Sequence, residues 1–217
     1  MKYPTDLVTL VKKRAQGMKL EGINEGAGPT KPKLIIIGEA PGREEIVSHI
    51  PFHGDSGKEL MKSLASIGLK REDVYITSAV RSRPYSVKKV FSKKENKEVT
   101  KTPNRKPTKK EMLAHAPFLD FELKNLDCNL IVAVGNTALE RLLGPRHKIS
   151  NEHGKIIKKT SILELNSNLD GYQWSKKKYN IFPEYHPAAV FYNRKLTTQI
   201  EQDWQVIGRY LRDVNNE

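Results

Sequence analysis

The chain has a single cysteine, Cys128, among 217 residues. No internal disulfide can form, and a reducing compartment, the cytoplasm, is expected. Acidic side chains are scarce too: 25 Asp and Glu stand against 38 Lys and Arg, a net charge of +13. Such an excess speaks about partners rather than fold, and nucleic acid is the leading one. Long apolar runs are also missing. Nothing approaches the ~20 residues of a membrane-spanning helix. The N-terminus mixes charges with short apolar stretches, unlike a signal peptide, and no basic amphipathic helix carries an aromatic face for a membrane surface. The expectation is a soluble, cytoplasmic monomer with one domain over residues 1–217 and no internal repeat.

What is present is organised around residues 33–57, KLIIIGEAPGREEIVSHIPFHGDSG. Leu34 to Ile37 is an apolar run of strand length, and Glu39-Ala40-Pro41-Gly42 is a glycine–proline turn at its end. A helix over Ser56 to Ile67 presents Leu60, Met61 and Leu64 on one face, and further strands are expected over 74–80, 130–134 and 179–182. Residues 155–165 read as one or two strands, 136–143 and 199–214 as helices, and 108–125 as a helical pattern interrupted at Pro117. A leading helix is expected within residues 1–20. Strands alternating with helices predict a three-layer α/β/α sandwich with a central, mostly parallel sheet of four or five strands. In such sheets ligands bind beyond the carboxyl ends of the strands. Residues 86–110 are crowded with lysine and predict an extended basic loop or a hairpin, either a solvated excursion or a phosphate-contacting arm.

Several motifs carry little. Gly54-Asp55-Ser56-Gly57 resembles a serine-hydrolase loop but has no evident base and acid partners. Gly57-Lys58 lacks the spacing of a P-loop. His49 and His53 are four apart with Pro51 between them, which argues against a helical metal pair. Cys128 precedes an apolar strand and reads as a packed, inert thiol.

Four pieces in fixed order carry more: GEAPG at 38–42, Pro51-Phe52-x-Gly54, ITSAVRSRP at 76–84 and EYHPAAV at 184–190. This set resembles the uracil-DNA glycosylase superfamily, most closely the family that usually carries an iron–sulfur cluster. TPNRKPT at 102–108 and IVAVGNTAL at 131–139 are also similar to that family's segments. The resemblance implies a monofunctional glycosylase that excises uracil or another deaminated base from double- or single-stranded DNA. It implies base contacts from Gly38, Ala40, Phe52 and Ser78, with Phe52 stacking on the flipped base. Glu39 would orient water or offset the positive sugar, and His186 would hydrogen-bond the base as negative charge builds there. Val190 and Phe191 stand where the superfamily inserts an apolar wedge, although they read equally as the start of the final helix. Arg81, Arg83, Lys88, Lys89, Lys93, Lys94 and Arg105 are the expected DNA contacts.

Two positions depart from the family. Ser78 stands where an asparagine usually reads uracil, and one hydroxyl replaces a donor and an acceptor. Ser82 stands where a cysteine is usual, and one cysteine in the chain cannot supply a four-thiolate cluster, so no metal or cofactor is expected. A non-catalytic DNA-binding relative is the alternative reading. A nucleotide hydrolase is a weaker one, because a small substrate needs no broad basic surface.

Overall fold

The computed structural model describes residues 1–215. The chain opens with α1 (Thr5–Arg14) and β1 (Leu20–Glu21), then enters the sheet at β2 (Leu34–Gly38). There follow α2 (Arg43–Ser48), α3 (Asp55–Ser66), β3 (Val74–Ser78) and β4 (Arg83–Pro84). The lysine-rich stretch is a hairpin of β5 (Lys88–Ser92) and β6 (Lys97–Lys101). The second half comprises α4 (Lys109–Asn125), β7 (Leu130–Val134), α5 (Asn136–Leu143), α6 (Ile149–Glu152), β8 (Ile157–Leu165), β9 (Tyr172–Glu184), α7 (Ala189–Tyr192) and α8 (Leu196–Asn215).

The central sheet has the order β3-β2-β7-β9-β8. Its first four strands are parallel, with Gly38 opposite Ser78, Ile36 opposite Val132 and Val134 opposite Glu184; β8 runs antiparallel at the edge. Every residue of β2 and β7 is buried, as expected of strands covered on both faces. Alternation along the strands sends Ile35, Ile37 and Tyr75 to one face, against Leu119 and Leu123 of α4 and Leu139 and Leu142 of α5. Leu34, Ile36 and Ile76 face the other way, against Leu60 and Leu64 of α3 and Ile200, Trp204 and Ile207 of α8. These are the three expected layers.

Some elements differ from the sequence reading. Pro117 does not interrupt α4, which runs unbroken from a Thr108–Glu111 capping box to Asn125. Proline has no N–H, so the Leu113 carbonyl loses its helical donor. Arg14 of α1 supplies the replacement: Nη2 donates to Leu113 O at 2.8 Å, and Nε reaches Ala114 O at 3.3 Å. The last parallel strand begins at Tyr172, well before the expected 179, because its lysine-rich first half pairs only with edge strand β8. Val190 and Phe191 lie in neither a bare loop nor the final helix but in the separate short helix α7.

Candidate active site

The parallel strands β3, β2, β7 and β9 end at Ser78, Gly38, Val134 and Glu184, side by side along one sheet edge. The loops leaving these ends surround a cavity of about 420 Å³ bordered by Gly38, Glu39, Phe52, Ser78 and His186. Four motifs separated by up to 148 positions thus meet at one place.

Phe52 sits in the left-handed region (φ 52°), a costly conformation for an aromatic residue, and the surroundings hold it there. Glu45 of α2 accepts from the Phe52 N–H at 2.6 Å and from the Gly42 N–H at 2.6 Å, tying the glycine–proline turn to the aromatic loop. Arg71 donates to the carbonyls of Pro51 and Phe52 at 2.9 and 3.0 Å. The ring lies over Gly38, where even a Cβ would come within 2.7 Å of it, and stacks beside the His186 imidazole with centroids 5.7 Å apart.

His186 follows β9 through Pro183-Glu184-Tyr185. Burial lowers its pKa to about 4, so the ring is neutral at pH 7. The Ala188 N–H donates to Nδ1 at 3.2 Å, which leaves the proton on Nε2 as a donor. Glu39 lies at the end of β2, with its Oε2 accepting from the Thr137 hydroxyl in the first turn of α5. Thr137 is buried, and its bond fixes the carboxylate while leaving Oε1 available. The site therefore offers an oriented carboxylate, a neutral N–H donor and an aromatic plate around a base-sized space.

Of the other expected residues, some border the cavity and some lie behind it or away from it. Ser78 borders the cavity, but its hydroxyl donates to Val80 O at 2.8 Å and accepts from Arg81 Nη1 at 3.2 Å. Arg81 and Arg83 are not DNA contacts: each is 1% exposed. Arg81 pairs with fully buried Glu122, whose carboxylate also takes Tyr3, Tyr75, Thr77 and the Gly26 N–H. Arg83 pairs with Glu21 and bonds Thr102 O and Asn104. Arg105 differs from them: it is a two-pronged partner of Glu111 but is partly exposed and borders the cavity. Val190 is half-buried with one side against the core, and Phe191 is 53% exposed. Lys88, Lys89, Lys93 and Lys94 are exposed on the hairpin. Glu45, Arg71, Thr137 and the exposed rim residue Tyr192 escaped the sequence reading. Glu45 lay in plain view beside GEAPG, whereas Thr137 is bonded across 98 positions.

The iron–sulfur cluster implied by the resemblance does not fit the residues present. Ser82 donates its hydroxyl to Gly22 O and borders a cavity of about 360 Å³ with Val11, Lys12, Ala15, Met18 and His115, and no thiol lines it. Cys128 is packed before β7, with Sγ 3.6 Å from Leu130 O and its pKa raised by burial. Among the described residues no group of three or more His, Cys, Asp or Glu is placed to hold a metal ion.

Comparison with known proteins shows the family. The family model described as uracil DNA glycosylase superfamily matches residues 25–208. The chain is similar to the type-4 uracil-DNA glycosylase of Archaeoglobus fulgidus, 33% identical over 187 residues that cover 84% of this chain and 79% of the relative. The enzyme of the same name from Saccharolobus solfataricus is 31% identical, over 86% of this chain and 74% of its own. That of Sulfurisphaera tokodaii is 30% identical, over 84% and 71%.

Proposed function

The chain belongs to the uracil DNA glycosylase superfamily, and from that premise we propose that it hydrolyses the N-glycosidic bond of uracil, or another deaminated base, in DNA. The observation that carries this reading is the convergence of Glu39, Phe52 and His186 on one cavity, with the histidine neutral and its Nε2–H free. The base leaves the stack and enters the cavity against Phe52. As the bond from C1′ to N1 breaks, negative charge moves into the base and positive charge into the sugar. The His186 Nε2–H donates to the base oxygen where that charge collects, and needs no proton transfer to do so. Glu39, held by Thr137, offsets the sugar's charge and orients the water, whose oxygen bonds C1′ and whose released proton neutralises the departing base anion.

DNA reaches this site through charge. The hairpin from Lys88 to Lys101 carries six lysines against two glutamates, and Lys88 stands directly opposite Lys101. Like charges paired across strands are unfavourable, and a phosphate backbone between them removes the penalty. We take the protein to act as a cytoplasmic monomer. No described helix is long and apolar enough to cross a membrane.

The test is single-turnover cleavage of single- and double-stranded oligonucleotides carrying uracil, hypoxanthine or xanthine, with abasic sites revealed by alkali. Glu39→Gln and His186→Ala should each slow cleavage while sparing binding, the latter by roughly 10²–10³-fold if it behaves as an oxyanion-hole donor. Parental rates in both variants would remove the catalytic assignment. A parent protein that binds damaged DNA but releases no base would establish the non-catalytic alternative.

A further inference from the structure

Uracil presents an N–H between two oxygens on its outer edge, so a pocket that selects it needs an acceptor beside a donor. A carboxamide supplies both. The Ser78 hydroxyl cannot supply the pair: its only hydrogen goes to Val80 O, and Arg81 Nη1 occupies one of its two lone pairs, so it has no donor left and at most one acceptor.

A carboxamide does border the cavity, from an unexpected stretch of chain. The segment before β2 runs antiparallel along the free edge of β3. Ala27 and Ile76 exchange backbone hydrogen bonds at 3.0 and 2.8 Å, and the Asn24 N–H donates to Arg81 O at 2.8 Å. This pairing carries Asn24 past the end of β3, beside Ser78. The side chain is 4% exposed, it lines the same cavity as Gly38, Phe52 and His186, and its Oδ1 is buried with no hydrogen-bond partner among the described residues. A buried acceptor left unmade is costly to a fold. Thr77, which also lines the cavity, is bonded to Glu122, and behind it Glu122 takes Arg81 and Tyr75, so the Asn24 oxygen stands out as unpaired.

Resting on the glycosylase reading, we propose that Asn24 is the residue that reads the base: Oδ1 accepts from uracil N3–H and Nδ2 donates to O4. The function usually lodged at the end of the second strand is here supplied from the strip that pairs with that strand's edge. Cytosine is refused because its 4-amino group would meet the Nδ2 donor.

The test compares single-turnover release of uracil and of cytosine by the parent protein, Asn24→Asp and Asn24→Leu. Both substitutions keep the backbone bond to Arg81 and the approximate shape; circular dichroism and melting temperature check that they fold. Aspartate exchanges the donor for an acceptor that suits a 4-amino group, so the uracil-to-cytosine ratio should fall by at least ~10²-fold, as when a site built for hydrogen bonding loses its match. Leucine should lose uracil without gaining cytosine. A parent that releases uracil with a ratio unmoved in both variants overturns the assignment and leaves the glycosylase reading intact. Equal slowing on both bases also overturns it, since a structural role would act so. A parent that releases no base overturns the catalytic reading first. The same proteins are then compared by affinity for a uracil-bearing over a cytosine-bearing strand, and an Asn24→Asp protein that keeps the parental preference overturns the proposal.

Discussion

Two groups of basic residues lie close together in the sequence and do opposite work. Arg81 and Arg83 are enclosed and matched to acids, Glu122 and Glu21. Lys88, Lys89, Lys93 and Lys94 stand in solvent, and of these only Lys89 has an acidic partner among the described residues, Glu98 at 3.7 Å. The first group holds up the wall of the cavity, where a charge without its partner would be ruinous. The second is left largely unneutralised, which suits an anionic polymer that arrives from outside. Net charge alone sees no difference between them; what separates them is whether an acid waits at the same place in space.

The sharpest way to break that contrast is to treat Arg81 as if it were a surface charge. Arg81→Met strands the Glu122 carboxylate in the interior and should cost about 3–5 kcal/mol in urea unfolding, whereas replacing both partners by apolar residues of similar size should recover much of the loss. A loss below about 1 kcal/mol would place Arg81 with the lysines.

A second interior cation-in-waiting is His115, 1% exposed, its pKa lowered to about 3 by burial first and by the neighbouring Arg81 charge second. The unfolded chain takes up this proton near pH 6.5 and the folded one does not. Stability should therefore fall as pH drops from 6.5 toward 3, by about 1.4 kcal/mol per pH unit from this group. His115→Gln should flatten the melting-temperature profile over that window relative to the parent; identical slopes would show that His115 titrates freely.

The smallest expected effect on the fold is at the hairpin. Converting Lys88, Lys89, Lys93 and Lys94 to glutamine should leave unfolding within about 0.5 kcal/mol of the parent. DNA binding should change instead, the slope of log K against log salt declining by about 0.9 for each phosphate that is no longer neutralised. An unchanged slope would make the hairpin a solvated excursion.

Much of this architecture was legible because β2, β3 and β7 are buried on both faces and read as short apolar runs. The first half of β9, YQWSKKK, was not, since an edge pairing lets lysines face water. Helices α2 and α7 are too short to show a period. In the site, Glu39, Phe52 and His186 were visible because each sits in a turn motif. Their supports were hidden by distance along the chain: Arg71 is 19 residues from the Phe52 carbonyl it holds. The arginines misled for the same reason, as Glu122 lies 41 positions beyond Arg81.

The proline inside α4 also bears on the order of folding. With Pro117 in place, the middle turn of the helix lacks one of its own bonds and borrows Arg14 from 99 positions upstream. A helix that closes every bond locally can form within about a microsecond, whereas an interaction across that much chain must wait for loop closure. The Leu113 carbonyl therefore keeps water as its partner until α1 docks. The first fourteen residues thereby clasp the helix that carries Glu122 at two points, Arg14 on its middle turn and Tyr3 on the Glu122 carboxylate itself.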